Sequence, residues 1–258
     1  MENKRLNSQN ETMRISKFLA YCGIASRRKA KNLILEKKVK VNGKIITDLS
    51  YQVDIEKDVV EVNNKKIIPP PKVYYIFYKP RGYLTSLYDP YNRPTIAQFL
   101  KKLPYKVFPV GRLDKDSEGL LFLTNDGDIA YKLLHPKFEV KRTYLVWVKP
   151  DIDKNKLKKL ITQGIFIEEK LVKPLVFTKL ETKKNQIYIY KVVLKEGVKR
   201  EIRKMVAYLG GNVLRLIRIH FGPLKLKNLK PGEIKELSKE EKEKLFEFIN
   251  TLNQNFKK

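Results

Sequence analysis

Val110-Gly-Arg-Leu-Asp-Lys-Asp-Ser-Glu-Gly-Leu-Leu-Phe-Leu-Thr-Asn-Asp-Gly127 is the most informative segment of this 258-residue chain. It places one carboxylate, Asp114, in a glycine-bounded loop between two apolar runs. A loop supported by rigid elements is a usual position for a catalytic side chain. An isolated Asp in such a loop is more often a turn residue, and we give that interpretation to Asp116 and Asp126. The segment therefore makes Asp114 a candidate catalytic residue.

The composition favours a folded protein with a polyanionic partner. Lys and Arg number 55 against 28 acids, which gives a formal net charge of +27. Each phosphate that a basic side chain neutralises releases counterions, so such an excess suits nucleic acid. A general bias toward lysine is the alternative, because the lysines are scattered along the whole chain. Hydrophobic content of 42%, with 14 Tyr and 12 Phe, predicts a substantial core.

Several classes of protein are disfavoured by what the sequence contains. No apolar run reaches the roughly 18 residues of a membrane span, and the first residues have no apolar signal core, so we expect a cytoplasmic protein. The single cysteine, Cys22, excludes an internal disulfide. With only His135 and His220 beside it, we expect no metal, and zinc-dependent base deamination is disfavoured.

A small basic module is predicted after a flexible tail at residues 1–13. Ile15, Phe18, Leu19 and Cys22 lie at helical spacing before Gly23, which predicts a first helix. Ser26 is placed to cap a second helix that begins with basic residues. Asn42-Gly43 between two short apolar runs predicts a hairpin, because both turn positions require positive φ.

This module, from Arg14-Ile-Ser-Lys-Phe-Leu-Ala20 through Val39-Lys-Val-Asn-Gly43, resembles the S4 domain of ribosomal proteins and RNA-modifying enzymes. Lys37 stands where that family usually has a glycine, so the local turn is expected to differ. The resemblance implies RNA binding by exposed basic side chains, and the alternative is that they only solvate a helix. The candidates for RNA contact are Arg14, Lys17, Arg27, Arg28 and Lys29.

We assign residues 14–62 to the S4 domain, 63–72 to a linker and 73–258 to a larger domain. Three successive prolines at 69–71 forbid helix and central strand and favour an extended spacer. An ordered edge segment packed on the next domain is the alternative.

The larger domain is expected to be α+β, with a mixed, largely antiparallel sheet flanked by helices. Residues 73–78, 143–148, 187–194 and 213–221 are rich in aromatic and β-branched residues and predict strands. Helical spacing of apolar residues predicts four helices: Ile96, Phe99, Leu100 and Leu103; Leu157, Leu160 and Ile161; Ile202, Met205, Val206 and Leu209; and Leu245, Phe246, Ile249 and Leu252 after the capping box Ser238-Lys-Glu-Glu241.

The opening segment resembles the signature of pseudouridine synthases, in the branch that modifies ribosomal RNA and carries an S4 domain. Further landmarks of that family follow in order: Lys79-Pro-Arg-Gly82, Leu134-His-Pro136, Lys141-Arg-Thr-Tyr144, Glu196-Gly-Val-Lys-Arg-Glu-Ile-Arg-Lys-Met205, Leu216-Ile-Arg218 and Phe221-Gly-Pro-Leu224. The variant Arg200-Glu-Ile-Arg203 and the segment at 229–237 look closer to the members acting on large-subunit (23S) RNA.

The resemblance implies roles for individual residues. Asp114 matches the nucleophile of the family, and Arg203 matches the cation that pairs with it and holds it ionised. Tyr144 matches the aromatic residue that stacks on the target base, and Leu216 the aliphatic residue on the other side of that base. In-strand Tyr and Leu are otherwise more often core residues.

Four further basic residues are candidates for substrate contact. Arg218 is expected on the same strand face as Leu216, where it would meet phosphate beside the pocket. Arg112 is a candidate for entering the gap left by the extracted uridine. Lys199 and Arg200 are expected to share a helix face with Arg203. His135 is expected to end a helix rather than to catalyse.

The chain is therefore predicted to convert uridine to pseudouridine in ribosomal RNA, or in a pre-ribosomal particle, as a monomer without metal or organic cofactor. A non-catalytic RNA-binding or ribosome-assembly protein on the same scaffold is the alternative class. Small-subunit (16S) RNA is the alternative substrate.

Overall fold

The computed structural model describes residues 12–254 and divides the chain into two compact units. The first contains residues 12–72 together with Leu103–Val107, and the second contains Val73–Lys102 and the chain from Phe108 onward. The short segment Leu103–Val107 thus corrects the prediction of an uninterrupted domain from residue 73 to the end.

The first unit packs two helices against short strands. Its elements are β1 (Thr12–Arg14), α1 (Ile15–Tyr21), α2 (Arg27–Leu35), β2 (Val39–Val41), β3 (Lys44–Ile45), β4 (Gln52–Asp54), β5 (Val60–Val62) and β6 (Lys65–Lys66). Strands β3, β2, β5 and β6 form one sheet in that order, and β1 pairs with β4. The core contains the predicted apolar face of α1, including Ile15, Phe18 and Leu19.

The local signals of this unit are confirmed. The Ser26 side chain accepts a hydrogen bond from the Lys29 backbone N–H, which caps α2. Asn42 and Gly43 both have positive φ and connect β2 to β3. Lys37 adopts a φ of 57°, the left-handed conformation that a glycine would take most easily. Contrary to our expectation, the lysine does not give this turn a different conformation.

Two predicted boundaries are wrong. Thr12 and Met13 belong to β1 and pair with Asp54 and Val53, so they are not part of a tail; residues 1–11 lie outside the described residues. The linker cannot begin at residue 63, because β6 pairs with β5 and continues the sheet of the first unit. At the prolines, the Tyr21 hydroxyl donates to the Pro70 carbonyl oxygen at 2.5 Å.

The second unit is built on one large sheet. Its elements are β7 (Tyr74–Lys79), α3 (Ala97–Leu100), β8 (Phe108–Val110), β9 (Glu118–Thr124), α4 (Gly127–Leu134), a 3-10 turn (Pro136–Phe138), β10 (Arg142–Lys149), α5 (Lys154–Gln163), β11 (Ile165–Ile167), β12 (Lys170–Val172), β13 (Val176–Lys183), β14 (Ile187–Leu194), α6 (Glu201–Tyr208), β15 (Asn212–Phe221), β16 (Leu224–Lys225), β17 (Ile234–Glu236) and α7 (Lys239–Gln254).

The strand order is β13-β14-β10-β15-β9-β7-β17, with β8 beside β9 and β16 beside β15. Of these pairings only β9 with β15 is parallel. The α+β class with a mixed, largely antiparallel sheet is therefore confirmed. Strands β11 and β12 form a separate hairpin.

The sheet buries a separate core on each face. Alternate residues of a strand point to opposite faces, and β15 shows this directly: Leu216 belongs to one core and Ile217 to the other. Helices α4 and α7 cover the core that contains Ile217, while α5 and α6 cover the core that contains Leu216. Both cores consist largely of the apolar residues that the sequence periodicity predicted to be buried.

Two element predictions need correction, and a third is confirmed. Helix α3 is a single turn that ends at Leu100, so Leu103 is not part of it. Of the apolar face that we predicted for this helix, only Ile96 is fully buried. Phe246 is 40% exposed rather than buried, although its ring meets the edge of Tyr74. The capping box is confirmed, since Ser238 and Glu241 each donate a backbone N–H to the other's side chain.

Gly119 allows the parallel contact between β9 and β15. It has φ +104°, and an added Cβ would lie 2.4 Å from the Arg218 carbonyl oxygen and 2.8 Å from the Arg218 nitrogen. Both are backbone atoms and cannot rotate away. Gly82 has a comparable φ of +93° but no atom within 4 Å of the Cβ position.

We therefore expect Gly119→Ala to destabilise the second unit by about 3 kcal/mol or more, and Gly82→Ala by only about 1 kcal/mol. Both substitutions carry the conformational cost of positive φ, so their difference isolates the clash. Urea unfolding followed by the fluorescence of Trp147, the only tryptophan in the sequence, measures both. Equal destabilisation would contradict this account of the contact.

Candidate active site

Asp114 lies in the loop of residues 111–117, which connects β8 to β9. These two strands pair with each other, and β9 is buried along its whole length. The loop therefore starts and ends in a rigid part of the sheet. Asp114 is half-buried, its carbonyl oxygen accepts the Ser117 N–H at 3.0 Å, and its side chain lines a cavity.

A buried lysine holds this loop from the neighbouring strand. Lys79, the last residue of β7, is 0% exposed. Its ammonium donates to the carbonyl oxygens of Pro80 at 2.9 Å, Ser117 at 2.8 Å and Lys115 at 3.5 Å. Burial lowers the pKa of Lys79 to about 8, while the nearby charge of Asp114 raises it. Burying an ammonium group costs several kcal/mol of folding free energy unless it is hydrogen-bonded. Here three carbonyl oxygens accept its hydrogen bonds.

The remaining carbonyl groups of the loop are also bonded. Gly82 donates its N–H to the Lys115 oxygen at 2.8 Å. The Thr85 hydroxyl donates to the Leu113 oxygen at 2.7 Å and accepts the Leu113 N–H at 3.1 Å. Every carbonyl group from residue 113 to residue 117 thus has a donor, since Arg203 takes the fifth. The loop conformation is therefore fixed independently of the Asp114 side chain.

Arg203 is near Asp114 but does not form the bidentate pair that we expected. Its guanidinium donates to the Asp116 carbonyl oxygen at 3.1 Å and to the Val213 carbonyl oxygen at 3.3 Å, and its Nε has no partner. Burial lowers the pKa of Arg203, and the charges of Asp116 and Asp114 act in the opposite direction. The guanidinium is hydrogen-bonded to the loop backbone and not to the Asp114 carboxylate.

The cavity beside Asp114 has a volume of about 530 Å³, within the usual range for small-ligand sites. Six residues nominated from the sequence line it: Asp114, Tyr144, Leu216, Arg112, Lys199 and Arg200. Tyr144 (8% exposed, on β10) and Leu216 (6% exposed, on β15) supply an aromatic and an aliphatic wall. Arg203 and Arg218 are absent from the lining.

The placement of Lys199 and Arg200 is a correction. Lys199 and Arg200 do not share a helix face with Arg203, because α6 begins at Glu201 and Arg200 has a φ of 55° just before it. Arg200 instead reaches the Asp116 carboxylate at 3.6 Å. Arg218 is 2% exposed and donates Nε to the Leu120 carbonyl oxygen at 2.8 Å, so it lies inside the unit rather than on an open surface.

Several residues that shape this site were not predicted from the sequence. Lys79 and Arg142 lie within the family motifs, but nothing in those motifs predicted a role for them. Glu201, which lines the cavity, is buried and accepts the Val198 N–H; its burial raises the pKa of its carboxyl group. Thr85 carried no signal, since a threonine after a glycine-containing turn is ordinary. His135 ends α4 by donating its N–H to the Tyr131 carbonyl oxygen, and its side chain accepts the Lys137 N–H, which caps the 3-10 turn that follows.

In the first unit, the start of α2 presents a basic surface. Arg27, Arg28 and Lys29 are exposed, as is Arg14 before α1, whereas Lys17 is only half-exposed. No acidic residue lies in the first turn of α2, so the positive end of the helix is uncompensated there. Within residues 12–254 no helix is long and apolar enough to cross a membrane.

A carboxylate beside an aromatic wall, in a cavity edged by arginines and joined to an S4-like unit, defines an enzyme that acts on a base of RNA. The chain matches the family described as RNA pseudouridylate synthase over residues 73–208 and the S4 domain family over residues 13–67. It belongs to the RNA pseudouridine synthase family.

Its relatives agree over nearly their full length. An uncharacterized RNA pseudouridine synthase of Aquifex aeolicus (strain VF5) is 42% identical over 92% of this chain and 95% of the relative. The ribosomal large subunit pseudouridine synthase B of Bacillus subtilis (strain 168) is 41% identical over 90% of this chain and 95% of its own. A crystal structure of a pseudouridylate synthase, 30% identical, covers 90% of this chain and 99% of its own with a TM-score of 0.61.

Lys79 predicts an alkaline limit to activity. Above pH 8 the amine becomes neutral, donates two hydrogen bonds instead of three and withdraws a positive charge from the loop. We expect kcat to fall above about pH 8 in the wild type, and this limb to be absent near pH 8 in Lys79→Arg, whose guanidinium stays protonated.

Unfolding does not explain that limb. The folded pKa of about 8 lies below the ordinary value of 10.5, so the unfolded chain binds more protons between these values and the titration of Lys79 favours folding as pH rises. Trp147 fluorescence over the same pH range checks that the unit remains folded. An unchanged limb in Lys79→Arg would show that another group titrates.

Proposed function

We propose that this protein converts a uridine of ribosomal RNA to pseudouridine, with Asp114 as the nucleophile and without a cofactor. We further propose large-subunit (23S) RNA, free or in an assembling particle, as the substrate of a monomer acting in the cytoplasm. The single observation that carries the proposal is that Asp114, Tyr144 and Leu216 line one cavity. The name of the Bacillus subtilis relative supports the choice of the large subunit.

The reaction needs little beyond an ionised carboxylate. The N1–C1′ bond breaks, uracil turns within the site, and a C5–C1′ bond forms; N1 gains a proton and C5 loses one. No electron is transferred to or from a donor. The Asp114 carboxylate, which forms no ion pair among residues 12–254, acts as the nucleophile, and the positive charges of Arg203 and Lys79 interact with it.

Retention of the detached base is assigned to the two walls. Stacking on an aromatic ring contributes about 1–3 kcal/mol per base, enough to hold uracil while it turns. Tyr144 provides that ring, and Leu216 closes the other side without a competing hydrogen bond. Extraction of the uridine from a paired region requires a side chain in its place, and Arg112, exposed at the cavity, is our candidate for it.

The nucleophile can be tested against a carboxylate in the same loop. We expect Asp114→Asn to reduce pseudouridine formation by on the order of 10³-fold or more, with RNA affinity nearly unchanged. Asp116→Asn is the matched control, because it removes the same charge two residues away; among residues 12–254 the Asp116 carboxylate pairs only with Arg200. Its activity should stay within about tenfold of wild type.

The readouts are tritium release from C5 of labelled uridine in RNA and filter binding of the same RNA. Full activity in Asp114→Asn would overturn the assignment. A folded protein that binds RNA but never modifies it, even as wild type, would favour the assembly-protein alternative.

The substrate can be identified by mapping. Pseudouridine positions in both ribosomal RNAs, compared with and without the gene, should differ at a site in 23S RNA. Restoration by wild type but not by Asp114→Asn ties that site to the carboxylate. Loss of a mark in 16S RNA alone would replace the large-subunit proposal with the small-subunit one.

The basic start of α2 is assigned to RNA affinity rather than to chemistry. We expect Arg27→Gln combined with Arg28→Gln to weaken RNA binding and to reduce the slope of log K against log salt by about 1–2. The single-turnover rate at saturating RNA should stay within about twofold. Lys183→Gln, an exposed change on β13, serves as the control. An unchanged salt slope in the double variant would remove these arginines from the interface.

A further inference from the structure

A second cavity lies beside the one that contains Asp114. It has a volume of about 230 Å³ and shares Arg112, Tyr144 and Gly197 with the first cavity. Its other lining residues include Arg142 and Arg218. We call it the anion cavity. Because Tyr144 lines both cavities, the anion cavity adjoins the wall on which we propose that the base stacks.

Two guanidinium groups are buried at this cavity. Arg142 is 8% exposed and Arg218 is 2% exposed, and the guanidinium carbon of each lies 5.1 Å from the centroid of the Phe221 ring. Arg142 donates Nη1 to the Lys195 carbonyl oxygen at 3.1 Å. Two like charges that share one ring repel each other, and burial lowers the pKa of Arg142 with the charge of Arg218 adding to that effect.

The positive charge at this cavity is balanced only in part by the described residues. Lys170 pairs with Glu196 and Lys195 with Glu139, and the buried Glu201 acts on Arg142 through its charge without an ion pair among residues 12–254. Arg112, Arg142 and Arg218 form no ion pair with a carboxylate among residues 12–254. The Nη2 atom of Arg218 is buried without a hydrogen-bond acceptor. A buried donor in that state is costly, and an anion in the cavity would remove the cost.

We propose that the anion cavity binds a backbone phosphate of the RNA next to the target uridine, with Arg142 as its principal ligand. The strands support this division of roles. Arg142 and Tyr144 are two residues apart on β10, about 6.6 Å along the strand, and Leu216 and Arg218 repeat the pattern on β15. Each strand thus offers one residue to the base and one cation to the phosphate. The inference rests on the proposed function.

The first test uses inorganic phosphate and needs no turnover. At constant ionic strength set with chloride, 100 mM phosphate should raise the Tm of the full chain, followed by Trp147 fluorescence, by about 2–4 °C. Arg142→Gln should lose this rise, while Lys183→Gln, which removes one exposed charge elsewhere, should keep it. Arg142→Lys retains the charge without the fork and should keep part of it. Equal rises in wild type and Arg142→Gln would overturn the site, and a rise lost in every variant would show general screening instead.

The second test changes the RNA and leaves the protein fold untouched. In the shortest ribosomal transcript that the protein modifies, each phosphate near the target uridine is replaced by a neutral methylphosphonate. At one position, binding to the Asp114→Asn protein should weaken about tenfold, and less than twofold once Arg142→Gln is also present. If Arg142 had only a structural role, Arg142→Gln would weaken RNA binding by the same factor whichever phosphate is replaced. That result would refute the proposal.

The two failures are distinguishable. If Asp114→Asn stays active, the nucleophile is wrong, while the phosphate tests still report on the cavity. If the wild type modifies RNA but shows neither the phosphate-dependent Tm rise nor the position-specific coupling, the function stands and the anion cavity does not bind phosphate.

Discussion

The site depends on one constraint: donors from other parts of the chain form hydrogen bonds with the carbonyl groups around Asp114. Lys79, Gly82, Thr85 and Arg203 each bond at least one carbonyl group of the loop. Single hydrogen bonds of this kind contribute about 0.5–1.5 kcal/mol, and those from charged donors about 1.5–3. Several of them together fix the direction of the carboxylate without using its oxygen atoms. A side chain fixed through its backbone remains available to a substrate.

The position of Arg203 follows from the same constraint. A guanidinium that gripped Asp114 bidentately would satisfy both carboxylate oxygens and would have to be displaced before attack on a substrate. By bonding the carbonyl groups of Asp116 and Val213 instead, Arg203 keeps its charge close, while the carboxylate makes no ion pair within residues 12–254. In the part of the chain that the structure describes, the buried Nε has no partner, so this guanidinium is not completely satisfied. The charge of Arg203 thus lies beside the carboxylate that we propose as the nucleophile without pairing with it.

The sequence was informative where the determining interactions are local. The Asn42-Gly43 turn, the Ser26 cap and the Ser238 capping box depend on neighbours within a few residues, and each formed as expected. The Asp116 carbonyl oxygen that Arg203 bonds and the Leu120 carbonyl oxygen that Arg218 bonds lie 87 and 98 positions away in the sequence, and no local pattern encodes these contacts. Lys79 shows the limit most clearly, because a lysine after a strand is usually exposed. Only the arrangement of three carbonyl oxygens around it makes burial tolerable.

The same separation of roles explains why the large sheet carries so many buried cations. Strands β10 and β15 lie side by side, and both place a residue for the base two positions from an arginine. A sheet holds such pairs at a fixed spacing, because strand geometry leaves little freedom along the chain. An RNA nucleotide presents a flat apolar face and a charged phosphate at a comparably restricted spacing. Burying Arg142 and Arg218 leaves positive charge in the free protein that a bound phosphate would offset. Binding of the backbone would then favour the conformation in which the base lies beside Asp114.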